Sequence, residues 1–169
     1  MMHLFKADGV DLTPGDTNAI TSAFPDGTGW IIATDSRPYW AIDEVSPVLI
    51  SAFANLGKTV VQFEESGWSD QSRLPDRLGN VQTRSYRGAE DDNKLHEVRI
   101  NPPNICIFPM IRNREIAEAA LTFARVGIAF CGFHVASSAF IDERLLDLGI
   151  SRADFADLPT LFIERVKTS

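Results

Sequence analysis

The sequence predicts an α/β fold, a mostly parallel sheet with helices on both faces. Two observations carry this. Strand-like apolar runs of five or six residues alternate with helical stretches of about 10 to 14 residues. The helical stretches also carry their own start and stop signals, caps before them and glycines or prolines after.

Residues 1–28 hold the turn formers Gly9, Pro14-Gly15 and Pro25-Asp26-Gly27 and read as a lead-in segment with one helix near Gly15–Phe24. Residues 29–169 read as a single domain. Gly29–Thr34 is a buried strand. Ser46 then caps a helix with Pro47 at its first position, Val48, Leu49, Ala52, Phe53 and Leu56 as its apolar face, and Gly57 as its left-handed stop. Thr59–Phe63 is a second strand. Glu65–Asn80 is polar and turn-rich, Val81–Ser85 a short edge strand, and Ala89–Arg99 a helix with Leu95 and Val98 on one side, ended by Pro102-Pro103. Asn104–Phe108 is the third main strand. Asn113 caps a strong helix with Glu115 and Glu118 near its positive end and Ile116, Ala119, Ala120, Phe123 and Ala124 along it, stopped by Gly127. Ile128–Phe133 is the next strand. Ser137 or Ser138 opens a helix through Leu148, stopped by Gly149, and Ser151 with Asp154 caps a last helical segment interrupted by Pro159.

Composition bounds the function. The 169 residues fit one core, and 44% apolar with 23% charged content is ordinary for a globular protein. No apolar run approaches the roughly 20 residues that span a bilayer, and Met1–Lys6 opens no secretory signal, so the expected compartment is the cytoplasm. A net charge of -7 disfavours direct nucleic-acid binding. The basic residues Arg84, Arg87, Lys94 and Arg99 are interleaved with Glu90, Asp91, Asp92 and Glu97, a solvated mixed-charge face. Cys106 and Cys131 sit in apolar runs as buried small hydrophobes, and His3, His96 and His134 lack ligand spacing, so no metal site is expected.

In such a fold, chemistry sits at the carboxyl ends of the strands. A nucleotide-binding chain would follow its first strand with glycines, a lysine and a hydroxyl residue opening the next helix. Here Asp35-Ser36-Arg37-Pro38-Tyr39-Trp40-Ala41-Ile42-Asp43-Glu44 has no glycine and no lysine. Pro38 removes a donor, and Asp35, Asp43 and Glu44 repel phosphate, with Arg37 offsetting one charge. Gly57-Lys58-Thr59 matches the tail of a phosphate loop, but it follows a helix and precedes a strand, the reverse of the required order, so it reads as a helix stop.

Asn101–Ile150 resembles the traffic ATPases of type II secretion, type IV pili and type IV secretion. The carrying residues are Pro102-Pro103-Asn104-Ile105-Cys106-Ile107, Arg112-Asn113-Arg114-Glu115, Ala119-Ala120-Leu121, Arg125-Val126-Gly127, Phe133-His134-Val135-Ala136-Ser137-Ser138-Ala139 and Arg144-Leu145-Leu146-Asp147-Leu148-Gly149, ungapped from Pro103 to Ala139. Weaker colinear matches, Gly29–Thr34, the acidic pair Glu64-Glu65, Val81-Gln82 and Leu95–Arg99, extend it over most of residues 29–150. The resemblance implies a RecA-like (P-loop NTPase-like) fold. It places Glu64 and Glu65 on the family's acidic pair, Arg112 on its arginine and His134 on its nucleotide-sensing histidine.

The departures imply loss of catalysis. The family's Gly-Glu after the third strand is Pro109-Met110, and methionine organises neither water nor magnesium. The Arg-Asp that follows is Arg112-Asn113, and Asp35–Trp40 stands as a degenerate phosphate loop. The family's N-terminal domain, which helps build a hexamer, has no room in 169 residues. The expectation is a non-catalytic component of a secretion, conjugation or pilus machine. It would sit in the cytoplasm, at the inner face of the membrane through its partners. It would dock on an ATPase or other machine subunits in a homo- or hetero-oligomer, with no cofactor. Two alternatives are an active ATPase that binds ATP and magnesium through Arg37 or Lys58, and a small-ligand or nucleotide sensor whose cleft Tyr39 and Trp40 reshape.

Overall fold

A computed structural model of the chain describes residues 2–6, 11–12, 17–37, 40–65, 80–86, 92–108 and 110–165. The strands are β1 (Met2–Lys6), β2 (Asp11–Leu12), β3 (Gly29–Thr34), β4 (Val60–Glu65), β5 (Val81–Tyr86), β6 (Ile105–Ile107), β7 (Ile128–Phe133) and β8 (Thr160–Arg165). The helices are α1 (Thr17–Ser22), α2 (Ser46–Asn55), α3 (Asp92–Ile100), α4 (Arg114–Ala124) and α5 (Ile141–Asp147). One sheet runs β2-β1-β8-β3-β7-β6-β4-β5. From β8 to β5 every pairing is parallel, while β1 and β2 extend the sheet antiparallel beyond β8.

Period-two alternation along the central strands builds a core on each side of the sheet. Trp30, Ile32, Cys106, Cys131 and Phe162 face one core, which α3, α4 and α5 close through Leu95, Val98, Ile116, Ala120, Phe123, Ile141 and Leu145. Ile31, Ala33, Ile105, Phe130 and Ile163 face the other, closed by Ile20 of α1 and Leu49, Ile50 and Phe53 of α2. Trp30 lies at the centre. Its ring meets Phe155 edge-on, 5.2 Å between centroids, and its indole N–H donates to Cys131 Sγ at 3.0 Å. Burial pushes the Cys131 thiol far above its ordinary pKa, against the smaller opposing effect of that hydrogen bond. Cys106 and Cys131 are both buried, and neither is in a disulfide.

Most expected elements form where the pattern places them, and α3 buries Leu95 and Val98. Four readings need correction. Ser46 is no cap: the chain is already helical at Trp40, passes through a wide π turn at Ala41–Val45, and carries Ser46 buried into α2. The buried face of α2 is Ser46, Leu49, Ile50, Phe53 and Ala54, leaving Val48 and Leu56 exposed. It shares Leu49 and Phe53 with the expected stripe but is turned by about 100°, one residue's rotation. Gly127 does follow the end of α4 as expected, its N–H donating to the Phe123 carbonyl at 2.9 Å, and a Cβ there would lie 2.6 Å from the Phe123 ring.

The helical reading after Ser151 is the largest error. Ser151 and Asp154 do form a capping box, but over a single 3-10 turn, Arg152–Phe155. Beyond Pro159 the chain is β8, buried between β1 and β3. Thr160-Leu161-Phe162-Ile163 is a short β-branched and aromatic run, and the proline before it blocks only helix. Finally, the Ser137–Leu148 helix divides into a 3-10 turn, Ser138–Phe140, and α5; Ser137 makes no side-chain cap. Gly57 and Gly149 do take positive φ, 75° and 80°, as left-handed helix stops.

Candidate functional site

The loop after β3 begins with a buried carboxylate. The Asp35 backbone N–H donates to the Phe133 carbonyl across β7 at 3.4 Å, which turns the side chain inward, 5% exposed. A carboxylate so placed needs donors. The Arg37 backbone N–H gives one to Oδ1 at 2.8 Å, and the Arg165 guanidinium at the end of β8 binds Oδ2. Ser36 Oγ stands 3.4 Å from Oδ1 and Arg37 Nε 3.8 Å from Oδ2. Burial pushes the Asp35 carboxyl up, but the Arg37 N–H and the Arg165 charge together outweigh it and hold the group below the usual carboxylate range.

The bond from Arg37 N–H to Asp35 two residues back is an Asx turn, and it spends on the protein a donor that a phosphate loop would aim at its ligand. The far side of the turn is tied by His134, whose Nε2 lies 2.6 Å from the Ser36 carbonyl. The carbonyl can only accept, so Nε2 carries the proton.

Arg37 reaches outward. Its guanidinium donates to Glu44 Oε1 at 2.7 Å, and the Trp40 indole N–H donates to Glu44 Oε2 at 3.0 Å. The Arg37 bond holds the Glu44 carboxyl below its usual range, with a smaller contribution from Trp40. Trp40, Ala41 and Met110 are all buried. A Cβ on Gly132 would lie 2.7 Å from Ala41 Cβ and 3.6 Å from Met110 Cε, so the first helical turn rests directly on the strand.

Asp35, Ser36, Arg37, Trp40 and His134 are therefore brought together. Pro38 and Tyr39 of the same loop lie outside the described residues. Glu64 and Glu65 end β4, three strands from β3 in the sheet. Arg112 is exposed just before α4, its carbonyl accepting from Arg144 at 3.3 Å. Lys58 follows α2 and precedes β4, at the opposite end of that strand from its carboxyl terminus. Among the described residues no group of three or more His, Cys, Asp or Glu could hold a metal ion, and no helix is long and apolar enough to cross a membrane.

Sequence reasoning missed Arg165 and Glu164. Adjacent on β8, they serve two different loops: Arg165 binds Asp35, and Glu164 accepts the Ser138 N–H that starts the 3-10 turn before α5. The signal was the apolar run 160–163, which read as a strand would have aligned its end with that of β3. Gly132 and the pairing role of Glu44 were also missed; Glu44 had entered only as a charge repelling phosphate.

No family model matches the chain, and no curated protein matches it. Solved structures do. The ATPase DotB of Legionella pneumophila superposes with a TM-score of 0.54 at 13% identity, over 92% of this chain and 48% of that one. The pilus retraction motor PilT, solved with bound ADP, gives 0.56 at 12% identity over 84% and 48%. The Yersinia pseudotuberculosis ATPase DotB gives 0.50 at 12% over 78% and 35%. The chain thus spans about half or less of the proteins it resembles. The likeness establishes the fold, the RecA-like arrangement of secretion and pilus traffic ATPases.

Proposed function

We propose that this chain is a pseudo-ATPase, a non-catalytic component of a bacterial secretion, conjugation or type IV pilus machine that docks on the other subunits. The observation that carries the reading is that, among the described residues, the donors of Arg37 and Trp40 after β3 are taken up by the chain's own carboxylates. The Arg37 N–H goes to Asp35, its guanidinium to Glu44, and Ala41 and Met110 pack against Gly132, with Trp40 buried beside Ala41 in sequence. These residues do not fit a magnesium nucleotide. Asp35 and Glu44 put two carboxylates in the segment that would have to hold phosphate, and a like-charge pair at close range costs on the order of 1 kcal/mol even in a water-like dielectric.

The fold supports the machine setting, since the solved structures it resembles are named as ATPases and a pilus retraction motor. The active-ATPase alternative loses its two cations: Arg37 is paired internally, and Lys58 stands at the wrong end of its strand. The sensor alternative relies on Trp40 to shape a ligand cleft, and Trp40 is instead buried, with its indole N–H given to Glu44. Calorimetry with ATP and magnesium tests the reading directly. No heat of binding is expected up to millimolar nucleotide; micromolar affinity would overturn it. Co-purification with a secretion or pilus ATPase tests the setting.

A further inference from the structure

The Arg37–Trp40 pair does more than close a loop. Its two donors come from different residues and engage the two oxygens of one carboxylate, at 2.7 and 3.0 Å. One donor, the Trp40 indole, is fixed in the core at 2% exposure, while its acceptor Glu44 sits in a half-exposed side chain. One donor of the pair is thus held in the core, while Arg37 and the Glu44 carboxylate are both about half exposed and free to exchange partners. The π turn Ala41–Val45, a widened helical segment of a kind found at functional positions, carries Glu44 at this mouth.

We infer that Arg37 and Trp40 form a carboxylate clamp, occupied in cis by Glu44, that takes an acidic side chain of a docked partner protein. The inference rests on the docking role proposed above. A planar bidentate acceptor suits two divergent N–H donors. Glu44, tethered seven residues from Arg37, presents its carboxylate at an effective concentration of order millimolar. Free small anions at lower concentration lose to it. A carboxylate delivered by a protein bound alongside enjoys the same advantage and can displace it. The net charge of -7 does not forbid this, because screening confines the distant charges to about 8–10 Å at physiological salt.

The test uses the full chain carrying Glu44→Ala, titrated with N-acetylglutamate N-methylamide and separately with inorganic phosphate, following the Trp40 indole N–H resonance. The variant is expected to bind the glutamate probe about fivefold more tightly than the unaltered chain. Phosphate is expected to bind it more weakly than the probe does, and adding Arg37→Ala to abolish the gain. Glu44→Gln, which keeps the shape, gives an intermediate gain and covers failure of the alanine variant to fold. No gain in either variant, survival of the gain without Arg37, or tighter binding of phosphate than of the probe overturns the assignment. Failure of the pseudo-ATPase reading shows separately, as ATP binding by the unaltered chain.

Discussion

Two helices start from the same edge of the sheet by different physics. Helix α4 follows β6 in the ordinary way: Asn113 is extended, and its side chain accepts the Ile116 N–H at 2.9 Å. Helix α2 follows β3 with no side-chain cap, through a π turn whose approach is held by Asp35, Arg165 and Glu44. The first start is local and involves four consecutive residues. The second draws on residues as distant as position 165 and on a glycine in another strand. A local start holds a helix; a long-range one holds a loop in a chosen shape.

The sharpest way to break the comparison is to remove its buried charge. Asp35→Ala leaves Arg165 without its carboxylate and frees the Arg37 N–H. A fully buried pair so broken costs about 3–5 kcal/mol; because Arg165 is part-exposed, a loss of about 2–3 kcal/mol is expected in urea unfolding. The pH dependence has a definite sign. Asp35 titrates lower folded than unfolded, so its stabilisation is complete above the ordinary value near 3.8 and disappears as pH falls through the folded value. The gap between the unaltered chain and Asp35→Ala, measured from pH 7 to pH 2, should therefore be constant until about pH 4 and close below it.

Next in size is the contact under the loop. Gly132→Ala places a methyl 2.7 Å from Ala41 Cβ, between a strand and a helical turn that cannot both yield. Overpacking of this kind costs about 1–3 kcal/mol. Ala41→Gly in the same chain removes the opposing methyl and should restore most of the thermal midpoint. A lack of rescue would mean that the turn does not rest on β7 as described.

The α4 side supplies the reference. Asn113→Ala removes one ordinary cap and is expected to cost about 1 kcal/mol, with no change in the environment of Trp40. A loss matching that of Asp35→Ala would erase the distinction between the two starts.

The same distinction explains what could be read from the residues alone. Asn113, Gly57 and the strands 29–34 and 128–133 were legible because caps, left-handed stops and buried apolar runs are local signals. Asp35, Ser36, Arg37 and Trp40 were legible as one segment after a strand and His134 as a strand-end residue, but the bond from His134 to the Ser36 carbonyl was not. Strand β8 was not, because its capping box pointed to a helix, and a box needs only one turn to be satisfied. With β8 missed, Arg165 had no position, and Asp35 looked like a charge repelling phosphate rather than one half of an ion pair. The face of α2 was misjudged for a related reason: Ser46-Pro47 has the form of a helix start, and a π turn leaves no mark in composition.

The smallest expected effect decides whether the loop is a lock or a latch. Arg37 and Glu44 are both about half exposed, so their pair pays side-chain entropy and is screened by water and salt. A double-mutant cycle with Arg37→Ala and Glu44→Ala should give a coupling below about 1 kcal/mol, falling further at 1 M salt. Asp35 behaves differently, since its partners reach it in the core and salt should barely change its effect. The two carboxylates of one loop thus divide the work: Asp35 sets the shape permanently, and Glu44 closes the mouth weakly enough for a partner to open it. A coupling of 2 kcal/mol or more, insensitive to salt, would make Glu44 as structural as Asp35 and leave no displaceable group at the clamp.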